Sequence, residues 1–332
     1  MGELEKCFVP IACSGTKFIS WPEDLKLRWE SLNGQKSGRD IGLLTWNVNG
    51  RMDLRGCRES LLRRWVLSGP VDVVLIQEHF RAGSGTSGNF LNKDWWHISS
   101  DAVGGSIGRK SGGCAVLVQH CLLSEGGFTH PGGRICGMYT HRGLILILYF
   151  PTKSPGQSRE EYLKTFTIFV DQLILVVECK MVKHPVSWIA CGTDPNAHFK
   201  GTGIPSRRND DFALKQVRRF MRNFSLVSLG EKMCPAQFTY LISRGGISCL
   251  DTFLVSRWLY DQHCVIMYEV IDFLEHGSDH CPVYVKLRVH PKWTRRIRPM
   301  TRRILKTSGL NSLYQRMSSV STRTNIVNRI KS

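Results

Sequence analysis

Five places along the chain put carboxylates, amides, a phenol or an imidazole beside short apolar runs. Asn47 and Asn49 follow a run ending TW, and Gln77 and Glu78 follow VDVVLI. Tyr149 closes GLILILY, Asp194 and Asn196 follow VSWIAC, and Ser278, Asp279 and His280 precede CPVYVKL. Asp251, in SCLDTFLVS, reads as a carboxylate inside a strand, where it needs a partner. Singly, each has a structural reading: Asn49-Gly50 is a turn dipeptide, Asp194-Pro195 starts a turn, and Glu78 is a solvated strand end. Together they suit metal-assisted cleavage of a phosphodiester. A hard divalent cation takes carboxylate oxygens and keeps waters, with Glu78 the best single ligand. A His280 paired with a buried carboxylate is oriented for proton transfer. Asn47 and Asn196 can hold a nucleophile or phosphate oxygens without adding negative charge, and Tyr149 can donate to the phosphate or the leaving oxygen.

The elements that must position these groups alternate in type between residues 41 and 288. Short β-branched runs at Ile41–Trp46 and Val71–Ile76 read as strands, with an amphipathic helix between them through Leu61, Leu62, Trp65 and Val66. Gly143–Phe150 is apolar at nearly every position, as a strand covered on both faces should be. Ser158 and Glu161 have capping-box spacing before a helix carrying Tyr162, Phe166, Phe169, Val170, Leu173 and Val177. Val186–Ala190 reads as a buried strand, and Asn209 or Asp210 as the cap of a helix through Leu214, Val217 and Met221. Strands return at Cys249–Val255 and His280–Leu287. The Gly/Ser-rich stretch Gly83–Gly113, with Trp95, Trp96, Arg109 and Lys110, reads as a surface loop, either mobile or lying against substrate. The expectation is one α/β domain at 41–288, two packed sheets flanked by helices, with extensions at 1–40 and 289–332.

The motifs TWNVNG at 45–50, IQE at 76–78, YFP at 149–151, TDPN at 193–196, LDTFLVS at 250–256 and GSDHCPV at 277–283 stand in a fixed order. In these the chain resembles the endonuclease/exonuclease/phosphatase superfamily, which includes deoxyribonuclease, exonuclease III-type AP endonucleases and LINE-type (non-LTR) retrotransposon endonucleases. The resemblance implies a deoxyribonuclease-like four-layer α/β sandwich of two mixed sheets between helices. It implies metal ligation by Glu78, Asn49 and Asp279, with Asn47 supporting the metal site and magnesium, or manganese in its place, as the ion. It further implies catalytic work by His280, Asp194, Asn196, Tyr149 and Asp251, with either Asp194 or the His280–Asp251 pair as the base. Two positions depart from the pattern. Thr193 stands where a Gly is expected and Pro195 stiffens the loop beside it, which would impair turnover if a Gly-only backbone angle were needed. Asn49 stands where many members have an Asp.

Charge then ranks the substrates. The chain carries 45 Lys/Arg against 27 Asp/Glu, a net +18. Eleven of the cations and no acid fall in residues 289–332, whereas residues 1–40 are neutral. Such a tail fits a polyanion, since neutralising phosphates releases counterions. Arg295, Arg296, Arg298, Arg302 and Arg303, with Trp293 among them, suit phosphate contact and stacking, and equally a nuclear-targeting signal or a linker. The expected activity is a magnesium-dependent DNA endonuclease that nicks one strand and leaves a 3′-hydroxyl. The alternatives are a nucleic-acid-binding relative with weakened turnover, and a phosphoesterase acting on small molecules or lipids. The expected partner is DNA, with RNA second, for a monomer outside the membrane that has a link to reverse-transcriptase machinery as a stand-alone or truncated retroelement product. The twelve cysteines show no C-x-x-C pair, so they read as reduced small hydrophobes rather than zinc ligands. With no secretory signal, an intracellular and nuclear location is expected.

Overall fold

The computed structural model describes residues 17–19, 39–50, 71–80, 88–90, 92–104, 110–122, 126–140, 142–154, 156–197, 208–235, 237–241, 247–271 and 278–290. Contacts divide the chain into two units, Met1–Ile297 and Arg298–Ser332, the second wholly outside the described residues.

Eighteen strands are described, fourteen of them in two seven-stranded sheets. The first half of the chain supplies β1 (Lys17–Ile19), β2 (Arg39–Asn47), β3 (Val73–Gln77), β4 (Gly88–Phe90), β5 (Asn92–Ser100), β6 (Val103–Gly104), β7 (Lys110–Ser111), β8 (Cys114–Gln119), β9 (Gly126–Thr129), β10 (Ile135–Thr140) and β11 (Gly143–Tyr149). The second half supplies β12 (Trp188–Asp194), β13 (Leu226–Ser228), β14 (Tyr240–Leu241), β15 (Ile247–Ser248), β16 (Thr252–Ser256), β17 (Val265–Val270) and β18 (Val283–Val289). One sheet runs β17-β18-β2-β3-β8-β5-β4 and the other β1-β9-β10-β11-β12-β16-β13. Each is mixed: β2 and β3 are parallel in the first, β11 and β12 in the second, and the other pairings are antiparallel.

The sheets pack face to face, because alternate residues of each strand are apolar toward the partner sheet. Leu43, Val73, Leu75, Val116 and Val118 of the first sheet meet Met138, Ile145, Ile147, Phe253 and Val255 of the second in one buried core. The opposite face of the second sheet, including Leu144, Leu146, Leu148, Ile189 and Cys191, is covered by α1 (Arg159–Lys183) and α2 (Arg208–Asn223) through Phe166, Leu173, Val217 and Phe220. The opposite face of the first sheet buries Leu44, Trp46, Val74 and Ile76. Its expected cover, the Leu61–Val66 segment, lies outside the described residues. Two five-residue helices, α3 (Leu229–Met233) and α4 (Arg257–Asp261), and a 3-10 turn at His120–Leu122 complete the described set, and no described helix is long and apolar enough to cross a membrane.

The crossover that makes β11 and β12 parallel is α1, which begins where expected. Glu161 donates its backbone N–H to Ser158 Oγ at 3.2 Å, and Glu161 Oε2 accepts from Ser158 N–H at 3.0 Å. Parallel strands point their C-terminal ends the same way, so Asn47 lies level with Gln77, and Tyr149 level with Asp194. Gly192 lets the two parallel pairs approach. A methyl group there would come within 2.6 Å of Thr45 Oγ1 and 2.7 Å of Leu75 Cδ1.

Several sequence expectations need correction. Trp95 and Trp96 lie not in a loop but in β5, where Trp95 is buried and Ile98 faces the inter-sheet core. The glycine count hid a period-two strand; Arg109 is outside the described residues and Lys110 is in β7. Asp251 stands just before β16 rather than inside a strand, and His280 stands before β18, joined to Tyr240 by an isolated bridge. Pro282, which has no N–H to give a ladder, separates His280 from the strand. Asn209 and Asp210 fall within α2 instead of capping it. Lys17–Ile19 joins the second sheet beside β9, and Val289 still pairs with Arg39.

Candidate active site

The ends of β2, β3, β11 and β12 bring four of the expected groups to one rim of the sandwich, and the segments before β16 and β18 bring the rest. Asn47 is central. Its Nδ2 donates to Asp194 Oδ2 at 3.1 Å and its amide also hydrogen-bonds the Glu78 carboxylate. Its Oδ1 accepts the Asn49 backbone N–H at 3.0 Å. Asn49 in turn donates from Nδ2 to both carboxylate oxygens of Asp279, each at 3.0 Å. The neutral amide thus bridges to Asp279, where a carboxylate would have repelled it.

Asp194 is fully buried and its other oxygen, Oδ1, accepts the Asn196 backbone N–H at 2.9 Å. The Asn196 amide reaches back to Phe150 O at 2.9 Å. Burial, reinforced by the charge of Asp251 and opposed by His280, Asn196 and Asn47, pushes the Asp194 carboxyl up to about 6. Glu78 is also raised, first by burial and then by Asp194, against hydrogen bonds from Tyr149 and Asn47. Burial and the neighbouring Glu78 and Asp194 charges hold the Tyr149 phenol well above its ordinary range, so it remains a donor to Glu78.

His280 Nδ1 lies 2.8 Å from Asp251 Oδ2, and both residues are buried. Burial alone would lower the imidazole, but Asp251, then Asp194 and Asp279, raise it to about 9. The group is therefore an imidazolium at neutral pH. Ser278 Oγ accepts the His280 backbone N–H at 3.2 Å and donates to Asn47 O at 2.8 Å, while Trp46 Nε1 donates to His280 O at 3.2 Å. The two halves of the site are thereby stitched together.

The backbone is strained at these same residues. Asn49, Glu78 and Asn196 have φ of 46°, 54° and 48°, the left-handed region. Asparagine enters it readily; a glutamate there costs energy and persists only where its surroundings enforce it. Thr193, by contrast, is an ordinary residue of β12, paired with Leu148 and Thr252, so the missing Gly imposes no conformational penalty.

Could these residues hold a metal? Glu78, Asp194, Asp251 and Asp279 converge with one imidazole, and Glu78 and Asp194 are each raised first by burial and further by a neighbouring carboxylate. A hard divalent cation with oxygen ligands would relieve that crowding, so the donor set fits one. Asp194, Asp251 and His280 also form a buried group whose ligand atoms lie within 4.8 Å of one another, but there His280 Nδ1 and Asp251 are already spent on each other. Glu78 and Asp279 are less buried than that group.

Residues outside every motif also belong to this site. Arg134 lies over the Tyr149 ring, 4.8 Å from its centroid, and donates to Phe150 O at 3.4 Å. The Tyr240 ring packs 4.5 Å from the His280 ring. Gly132-Gly133 marks a turn before Arg134, yet nothing local shows that Arg134 stands beside Tyr149, whose N–H its carbonyl accepts at 3.0 Å. Arg295, Arg296, Arg298, Arg302 and Arg303 lie outside the described residues. Cys114, Cys136, Cys191 and Cys249 are buried thiols whose burial raises their pKa, as expected of inert hydrophobes.

The sequence model of the Endonuclease/Exonuclease/phosphatase family matches residues 44–280, from β2 to His280 itself. The chain belongs to that family. Solved structures of similar fold include the AP endonuclease LMAP from Leishmania major, at 16% identity over 75% of this chain and 88% of that one, with a TM-score of 0.58. The APE2 catalytic domain of Xenopus laevis matches at 17% identity over 79% and 94%, with a TM-score of 0.55. The endonuclease domain of TRAS1, a telomere-specific non-LTR retrotransposon, matches at 18% identity over 75% and 99%, with a TM-score of 0.48, too loose a likeness to argue from. A search of curated proteins finds no match. At these identities the solved structures establish the two-sheet fold, and the family places the chain among hydrolytic enzymes of phosphate esters.

Proposed function

We propose that this family member is a metal-dependent phosphodiesterase that nicks one strand of DNA. The observation that carries the reading is the buried His280–Asp251 pair beside Asp194, with Asn47 linking Asp194 to Glu78. That arrangement separates an acid from a base. Asp194, near 6, is an anion at neutral pH and takes the proton of the attacking water; His280, near 9, is a cation and donates a hydrogen bond to a non-bridging phosphate oxygen. Asn196, its side-chain amide held by the Phe150 carbonyl, gives its backbone N–H to Asp194 and fixes that carboxylate's orientation. Water adds to phosphorus as the bond to the 3′-oxygen breaks, and the departing oxygen takes a proton from solvent, leaving a 3′-hydroxyl and a 5′-phosphate. When bound by Glu78 and Asp279, a divalent cation supplies charge neutralisation for the phosphate and leaving oxygen. Tyr149 holds Glu78 in place through its hydroxyl.

The charge of the chain supports nucleic acid over a small phosphate ester. Residues 41–288 hold 28 basic and 21 acidic residues, and residues 289–332 add the eleven cations noted above. A relative that binds without turnover is the weaker reading, because Thr193 leaves the strand geometry of β12 intact. The test is supercoiled plasmid with Mg²⁺, for the wild type and for Glu78→Ala and His280→Ala. Nicking by the wild type that both substitutions abolish supports the proposal. Tight DNA binding without nicking in any of the three overturns it, as does phosphate release from a nucleotide or phosphoinositide panel with DNA untouched.

A further inference from the structure

Asp251 orients His280, yet little in its own side chain fixes Asp251. Its Oδ2 meets His280 Nδ1, and its buried Oδ1 has no hydrogen-bond partner among the described residues. A carboxylate held at one oxygen takes its position from the backbone behind it. That backbone lies between β15 and β16, outside the sheet ladder, so its amides must be satisfied from elsewhere.

Thr239 satisfies them. Its Oγ1 accepts the Leu250 N–H at 2.9 Å and the Asp251 N–H at 2.8 Å, which occupies both lone pairs of the hydroxyl. Its backbone N–H donates to Ser248 O at 2.9 Å, and its carbonyl accepts the Cys281 N–H at 2.7 Å. One fully buried residue therefore touches the segment carrying Asp251 and the segment carrying His280. The residues after it continue the splint: Leu241 N–H donates to Asp279 O at 2.8 Å, and the Tyr240 ring packs against the imidazole.

We propose that Thr239 is the positioning residue of the His280–Asp251 pair, its hydroxyl setting the register of Asp251 against the imidazole. The inference rests on the reading of that pair as catalytic for its effect on rate, but the geometric part stands apart from activity. The side chain does two separable things. Its methyl fills space, which valine reproduces; its oxygen accepts two amides, which serine reproduces. Thr239→Val leaves two buried N–H groups without an acceptor, and the loop carrying Asp251 must shift to find one.

The experiment compares Thr239→Val and Thr239→Ser with the wild type in three measurements. These are the low-field proton resonance of the His280 Nδ1–H···Asp251 bond, amide hydrogen exchange at Leu250 and Asp251, and the split of kcat against KM in plasmid nicking. The valine variant is expected to lose the low-field resonance and amide protection. It should also lower kcat on the order of 10- to 100-fold with little change in KM, the cost of misplacing a reacting group by a fraction of an ångström. The serine variant is expected to keep all three near wild type. A valine variant with the resonance and protection intact overturns the proposal, as does a serine variant that fails alongside valine. If valine does not fold, exchange in the wild type decides: unprotected Leu250 and Asp251 amides overturn it, and protected amides with serine rescue support it. Absence of nicking by the wild type would sink the proposed activity, and the resonance and exchange measurements would still judge Thr239.

Discussion

Replacing Asp251 by Asn separates the shape of the His280 pair from its charge. The amide oxygen can still accept the Nδ1–H now 2.8 Å from Asp251, but the negative charge that chiefly opposes burial is gone. In the wild type the imidazole rises from 6.5 to about 9. At ~1.4 kcal/mol per unit, that shift corresponds to about 3 kcal/mol of folding stability. The folded-state value lies above the unfolded one, so this stability is fully present below pH 6.5 and is lost as pH rises toward 9. About 2 kcal/mol of it should disappear between pH 6 and pH 8.5. In Asp251→Asn the imidazole falls back toward its ordinary value, and that part of the slope should vanish. The assay is urea unfolding of both proteins in EDTA at closely spaced pH, taking the wild-type-minus-variant difference so that titrating groups remote from Asp251 cancel; Asp194, which Asp251 also raises, affects only the acid end of the range. Parallel curves from pH 6 to 8.5 would refute the claim that Asp251 charges His280.

The remaining predictions concern the base, the metal and the tail. Nicking should fall on the acid side as Asp194 gains its proton, and Asp194→Asn should abolish nicking at every pH in a plasmid assay; nicking retained in Asp194→Asn would exclude Asp194 as base. Glu78→Gln removes a carboxylate whose ionisation burial and Asp194 disfavour, so the metal-free variant should melt at or above the wild-type temperature while losing the stabilisation Mg²⁺ gives the wild type. A scanning-fluorimetry shift with Mg²⁺ that is equal in both proteins would remove Glu78 from the ligand set. Ending the chain after His290, just beyond β18, should weaken DNA binding. If Arg295, Arg296, Arg298, Arg302 and Arg303 each contact a phosphate, the slope of log K against log salt should become shallower by about 4 to 5, and an unchanged slope would assign the tail another role.

What the sequence exposed and what it hid follow from the range of the forces involved. Groups at the ends of fully apolar strands were legible because a buried strand leaves its polar residues nowhere else to go; Asn47, Tyr149 and Asp194 end β2, β11 and β12 for that reason. The capping box of α1 was legible because both its partners lie within four residues. Asp251 was read in a strand because LDTFLV is apolar enough to be one, yet the ladder begins at Thr252. The strand in the glycine-rich stretch was missed because composition masked the alternation at Trp95 and Ile98. Arg134 and Thr239 were invisible because their roles arise across a sheet and between loops distant in sequence. Nothing in HPGGRIC or QFTYL announces a partner fifteen or forty residues away.

The strained backbone and the buried charge at this site are two forms of one demand. A folded chain without function would place Gly at Asn49, Glu78 and Asn196, and would not bury Asp194 and Asp251 beside a single imidazole with Glu78 and Asp279 close by. The packing that enforces this is specific. Gly50 lies so close under Phe80 that a methyl group there would come within 1.7 Å of the ring, and Gly113 would similarly meet His79 at 2.7 Å. The two residues that follow Glu78, His79 and Phe80, are thus pinned, and the glutamate before them keeps its left-handed angle. The stability forfeited by holding these carboxylates together is recovered when positive charge arrives, whether as a cation or as the developing demand for a proton at the attacking water. The arrangement is therefore poised for a ligand that brings charge into the site, and the sheets supply the rigidity to hold it until then.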